Sequence, residues 1–117
     1  MAEQSVYRHR FVIHLPTLDN DGNKIPLRLI QQALDELAER FHGYTTSSYI
    51  GYPTYLGFFL TEDGQEFYDY IYVIYVDVED SRKMASAISF FEKFRDKYMR
   101  VFKQSQLYII HYPVTKI

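Results

Sequence analysis

His14 is the residue whose setting invites chemistry most directly. It lies in the stretch VYRHRFVIHL from Val6 to Leu15, where Phe11, Ile13 and Leu15 alternate with Arg10, Val12 and His14. A period of two predicts a strand with two distinct faces. On a half-buried face shared with arginines and tyrosines, an imidazole can accept a proton near neutral pH. The plainer role is a hydrogen-bonded interface histidine, because buried polar side chains are normally satisfied, and this is the role expected. His9, His42 and His111 add no metal site. The four histidines include no H-x-x-x-H pair and have no acid at ligand spacing.

Other motifs fall short of their chemistry. Asp19, Asp21 and Asn23 have the 1-3-5 spacing of a calcium loop, but the sixth position is Lys24 and the twelfth is Ile30. That loop needs Gly and Glu there, so a solvated turn is expected. The run Gly43-Tyr44-Thr45-Thr46-Ser47-Ser48 lacks the lysine and glycine spacing of a phosphate loop; a hydroxyl-rich strand is expected. There is no Gly-x-Ser-x-Gly elbow and no cysteine, which excludes a thiolate metal site, a cysteine nucleophile and a disulfide framework. No metal, no cofactor and no assignable catalytic residue are expected.

Tyr and Phe make 21 of the 117 residues, and eight of the 12 tyrosines fall between positions 44 and 75. Tyrosine joins a large apolar ring to a polar tip, which suits surfaces that are covered only part of the time. The net charge of −2 predicts no strong attraction to nucleic acid. Charge is unevenly spread: Glu62 to Glu79 holds six acids and no base, while Asp80 to Lys103 holds seven bases and three acids. The bases, including Arg82, Lys93, Lys97 and Arg100, read as the solvated face of a helix, with Asp96 and Arg100 spaced to pair. The first residues lack a basic flank and an apolar core, so no signal peptide is expected. No run approaches the ~18 apolar residues of a membrane span. One cytoplasmic domain, 1–117, is expected.

The elements that must position these residues follow in order. Pro16 ends the first strand, and Asp19 to Asn23 is turn chemistry. Pro26 can open a helix, whose stripe runs through Ile30, Ala33, Leu34, Leu37, Ala38 and Phe41 to a stop at Gly43. Residues 44–60 read as an irregular strand, in one or two pieces, with Pro53 at an edge or break. Asp63-Gly64 closes a hairpin into the longest strand, Phe67 to Val78. Asp80 or Ser81 can cap a second helix from Arg82 to Phe102, and Leu107 to Val114 is the last strand. The order β-α-β-β-α-β predicts an α+β, ferredoxin-like domain, with a four- to five-stranded antiparallel sheet and two helices on one face.

Two strands disobey that plan. A sheet covered on one side should alternate apolar and polar residues, yet Phe67 to Val78 is apolar at both parities, and so is Leu107 to Val114. Two helices leave one face bare, and bare faces of this composition are rare in monomers. A second copy is the expected cover, giving a homodimer; the alternative is that 44–60 folds back over the face. With Phe11, Ile13 and Leu15 toward the helices, the other face is expected to combine Arg8, Arg10 and His14 with Tyr68, Tyr70 and Tyr72. The side taken by His111 is left open.

Gly22, Ile25-Pro26, Phe41-His42-Gly43-Tyr44-Thr45, Asp63-Gly64, Tyr68-Asp69 and Gln104 together resemble the pattern of a family of small, uncharacterised prokaryotic proteins across Pro16 to Pro113. The family pattern has Gly at the place of His42. The resemblance implies no activity and no functional residue. At the level of fold, the element order is similar to dimeric α/β-barrel proteins, which include small-molecule sensors and cofactor-independent monooxygenases.

Three functions follow as expectations. The first is a non-enzymatic dimeric binding or regulatory module, with a small-molecule ligand as one partner. The second is a cofactor-independent enzyme at the sheet face, with His14 as base and Tyr72 or Arg10 orienting the substrate. The third is single-stranded RNA binding on Tyr68, Tyr70 or Tyr72. The acids around the hairpin would repel phosphates, so no nucleic-acid partner is expected, and no membrane.

Overall fold

The computed structural model describes residues 6–46, 50–53, 55–60, 62–79 and 81–117. Strand β1 (Val6–Pro16) leads to helix α1 (Leu27–Phe41), then to β2 (Thr45–Thr46), β3 (Tyr55–Leu60) and β4 (Glu66–Val78). A 3-10 turn at Ser81–Lys83 precedes α2 (Met84–Val101), and β5 (Ile109–Lys116) completes the sheet. The sheet is antiparallel, in the order β2-β4-β1-β5, with β3 also on β4. The architecture is the expected α+β plan. The irregular strand is split in two: β2 and β3 follow one another along the same edge of β4, and Pro53 lies between them.

Helix α1 starts where Pro26 turns its carbonyl inward to accept from the Leu29 and Ile30 amides. Its stripe of Ile30, Ala33, Leu34 and Leu37 is buried. The helix stops one residue before the expected glycine. His42 itself takes the left-handed conformation (φ 62°) and its amide donates to the Ala38 carbonyl at 2.8 Å. Histidine tolerates that region better than most side chains. Helix α2 buries Ala87, Phe91, Phe94 and Tyr98, and Phe11 of β1 stacks on Phe91 at 4.5 Å. Ser81 opens the 3-10 turn instead of capping α2, whose first turn has no side-chain cap; Asp80 lies outside the described residues. The Asp63-Gly64 hairpin forms as read, with Gly64 at φ 85°.

The core lies between the two helices and one face of the sheet, where Phe11, Ile13 and Leu15 meet Tyr72, Ile74 and Val76. β4 outruns this core. Its first half pairs only with β3, and the projecting hairpin belongs to a molecule whose extents are 57 × 28 × 26 Å. Tyr55, Leu56, Phe58, Leu60, Phe67, Tyr68 and Tyr70 there are 48% to 62% exposed. The described part of 44–60 does not fold over the open face. Ile50 packs on the core, and Gly51 sits beside α1, where an added Cβ would meet the Leu27 side chain at 3.6 Å.

Candidate functional site

The register of β4 corrects the expected face. Leu15 pairs with Tyr72 and Ile13 with Ile74, both pairs buried on the helix side. Tyr72 is therefore a core residue. Tyr68 and Tyr70 share its parity, but sit on the projecting hairpin beyond the helices. The partners of Arg10 and His14 across β4 are instead Asp77 and Val73. On the other side, β5 brings Val114 to Arg8, Tyr112 to Arg10 and Ile110 to Val12. The open face therefore joins Arg8, Arg10, Val12 and His14 to Val73, Tyr75, Asp77, Ile110 and Tyr112.

Its charges cancel within the chain. Arg10 forks onto Asp77, with Nε donating to Oδ1 at 2.8 Å and Nη2 to Oδ2 at 3.1 Å. The guanidinium lies 4.1 Å from the centre of the Tyr75 ring. The Asp77 hydrogen bond raises the already high pKa of Arg10. Arg8 pairs with Glu79 and, at 3.7 Å, with Asp77. What remains facing outward is mainly apolar and aromatic.

The expected pairing of Asp96 with Arg100 is replaced in the structure by a contact from the adjacent Arg95. His111 takes the side of Phe11, and its Nδ1 lies 2.6 Å from His9 Nε2, close enough to share one proton.

A cleft of about 820 Å3 opens where β1 stops at Pro16 and β4 continues toward Glu66. The β1–α1 turn and the α2–β5 loop form its other walls. The turn is built on Asp19, whose Oδ1 accepts from the Asp21 and Asn23 amides at 2.9 Å each. The calcium-like spacing thus serves an Asx turn. Gln104 ties the two walls together by donating to the Leu18 carbonyl at 2.6 Å. His14, Tyr108, Phe67, Tyr68, Asp69 and Asp19 all line the cleft.

Two of these groups are shaped by burial. His14 packs at 4.9 Å against the Tyr108 ring, and desolvation lowers its pKa, keeping the imidazole neutral. Burial pushes the Asp69 carboxyl up, against hydrogen bonds from Thr17 and Tyr70 that pull it down. Thr17 Oγ1 lies 2.8 Å from both Asp69 Oδ1 and the Tyr70 carbonyl. A hydroxyl has one proton to donate, so Thr17 shares it between the two oxygens. Among the described residues, no three His, Cys, Asp or Glu side chains gather as a metal site. No described helix is long and apolar enough to cross a membrane.

Asp69, Thr17, Tyr108 and Asp77 were not singled out from the sequence as site residues. Asp69 did carry a signal: it is the lone charged residue between Glu66 and Asp77 in an otherwise aromatic and aliphatic strand. No protein-family model, no curated protein and no solved structure matches this chain.

Proposed function

We propose that this chain is a non-enzymatic binding module that works as a two-fold homodimer through the open face of its sheet, with the cleft as its small-ligand site. The observation that carries this reading is a bare sheet face whose charges are already paired within the chain. A two-fold interface brings a surface onto its own copy, so an unbalanced charge there would meet itself. Here Arg8 and Arg10 are neutralised by Asp77 and Glu79, which leaves Val12, Val73, Tyr75, Ile110 and Tyr112 free to pack. The absence of cysteine fits a reducing, cytoplasmic setting.

Light scattering at micromolar concentration should give about twice 14.0 kDa. Val73→Asp and Ile110→Asp should each give a folded monomer, because an ion buried at an interface loses its hydration. A wild-type monomer, or variants that remain dimeric, would refute the interface. The enzyme reading keeps one supporting observation, a neutral His14 at the cleft rim. Turnover abolished by His14→Ala would favour it. Nucleic acid finds less support. Tyr68 and Tyr70 are exposed, but Arg8 and Arg10 lie on the opposite face with their charges engaged, and Glu66 and Asp69 stand beside the tyrosines.

A further inference from the structure

We propose that the cleft beyond the end of β1 binds an organic ammonium cation, a quaternary or protonated amine held against the rings of Phe67, Tyr68 and Tyr108 with Asp69 and Asp19 as counter-charges. The inference rests on the small-ligand half of the reading above and is independent of the dimer. Aromatic faces carry negative electrostatic potential and attract large, weakly hydrated cations. Carboxylates supply the opposite charge. Among the described residues no lysine or arginine lines the cleft, although the chain carries 13 of them. His14 adds no positive charge while it stays neutral.

Other ligand classes fit less well. An anion would meet two carboxylates and no cationic side chain. A neutral apolar molecule would strip water from Asp69 and return no charge to it, which is costly for a carboxylate. A bare metal ion requires several converging ligands, and no group of three gathers among the described residues. An organic cation satisfies the rings and the carboxylates together. The volume of about 820 Å3 lies within the range of small-molecule sites.

The test is a titration of the full chain, followed by amide NMR shifts and calorimetry, with choline and its uncharged carbon isostere 3,3-dimethylbutan-1-ol. Choline should shift amides of residues 67–70 and 104–108 and bind roughly tenfold tighter than the isostere, the scale of a cation–π contact with a nearby counter-charge. Asp69→Asn should weaken choline several-fold, narrowing but not closing its gap to the isostere, and leave the isostere unchanged. Phe67→Leu, an apolar change at a half-exposed hairpin position, should weaken choline several-fold. Equal affinity for the two probes, shifts confined to another surface, or choline binding unaffected by both variants would each overturn the proposal. Light scattering on the same samples separates the two readings. Choline binding by a monomer would remove the dimer alone, and a dimer that ignores choline would remove the cation site alone.

Discussion

Leu15 and Tyr72 face each other across β1 and β4 on the helix side of the sheet, and the Tyr72 hydroxyl accepts a hydrogen bond from the Gly51 amide at 2.7 Å. One residue thus closes the core and anchors the segment before β3. Tyr72→Phe should cost about 1 kcal/mol, the net worth of one hydrogen bond. Tyr72→Ala should cost roughly 3–5 kcal/mol, as deletion of a buried aromatic side chain usually does. Urea denaturation measures both. Tyr72→Glu should unfold the chain; a folded monomer from that variant would contradict the core position.

The Arg10–Asp77 fork should be worth more than an ordinary surface pair. Exposed pairs contribute about 0–1 kcal/mol. Here Asp77 is only 16% exposed and the contact is bidentate, which favours a coupling of about 1–2 kcal/mol. A double-mutant cycle of Arg10→Ala and Asp77→Ala isolates that coupling. A value near zero would mean that the pair orders the face without stabilising it.

Asp69→Asn should stabilise the protein at neutral pH. Burial holds the folded carboxyl above its ordinary value of 3.8, so between the two values the folded state holds a proton that the unfolded chain has already released, and above both the charged carboxylate bears the cost of its burial. That contribution is complete below about 3.8 and is lost as pH rises through the raised folded value. His14 has the opposite sign. Its folded pKa lies below 6.5, so stability falls as pH drops from about 6.5 through the lower folded value. Urea titrations at about pH 4 and about pH 7 should show the Asn variant gaining on wild type at the higher pH. An equal difference at both would count against a carboxylate strained by burial.

Tyr98→Phe should be neutral or stabilising by up to about 1 kcal/mol. The ring is fully buried at 0% exposure, and although Glu36 and Gln32 lie near its hydroxyl, neither meets it in good hydrogen-bond geometry. Burial raises its pKa, and the nearby Glu36 raises it further. A buried unpaired hydroxyl costs about 1–3 kcal/mol in desolvation, and Phe removes that cost while keeping the ring contacts with Phe94 and Phe102. Thermal melts of the two proteins decide it; a loss above about 1 kcal/mol would mean that the hydroxyl is bonded.

Much of the fold was legible in residues close together along the chain. The stripe from Ile30 to Leu37 specifies α1, Asp63-Gly64 specifies the hairpin, and the order of elements implies the antiparallel sheet with both helices on one face. These signals are local: periodicity, turn residues and caps act within a few positions. The phase of β4 was not legible, because Tyr68 to Val78 is apolar at both parities and a period of two then has no sign. Contact with β1 breaks the tie. Leu15 takes Tyr72 into the core, which leaves Val73, Tyr75 and Asp77 beside His14 and Arg10. The Arg10–Asp77 pair spans 67 positions, and the cleft joins residues from His14 to Tyr108. No spacing rule reaches that far, because such sites exist only after the chain has closed on itself. The carboxylate of Asp69 was visible as an interruption in an aromatic strand; its burial, its place beside Thr17 and its aromatic neighbours come from β1 ending at Pro16 while β4 runs on.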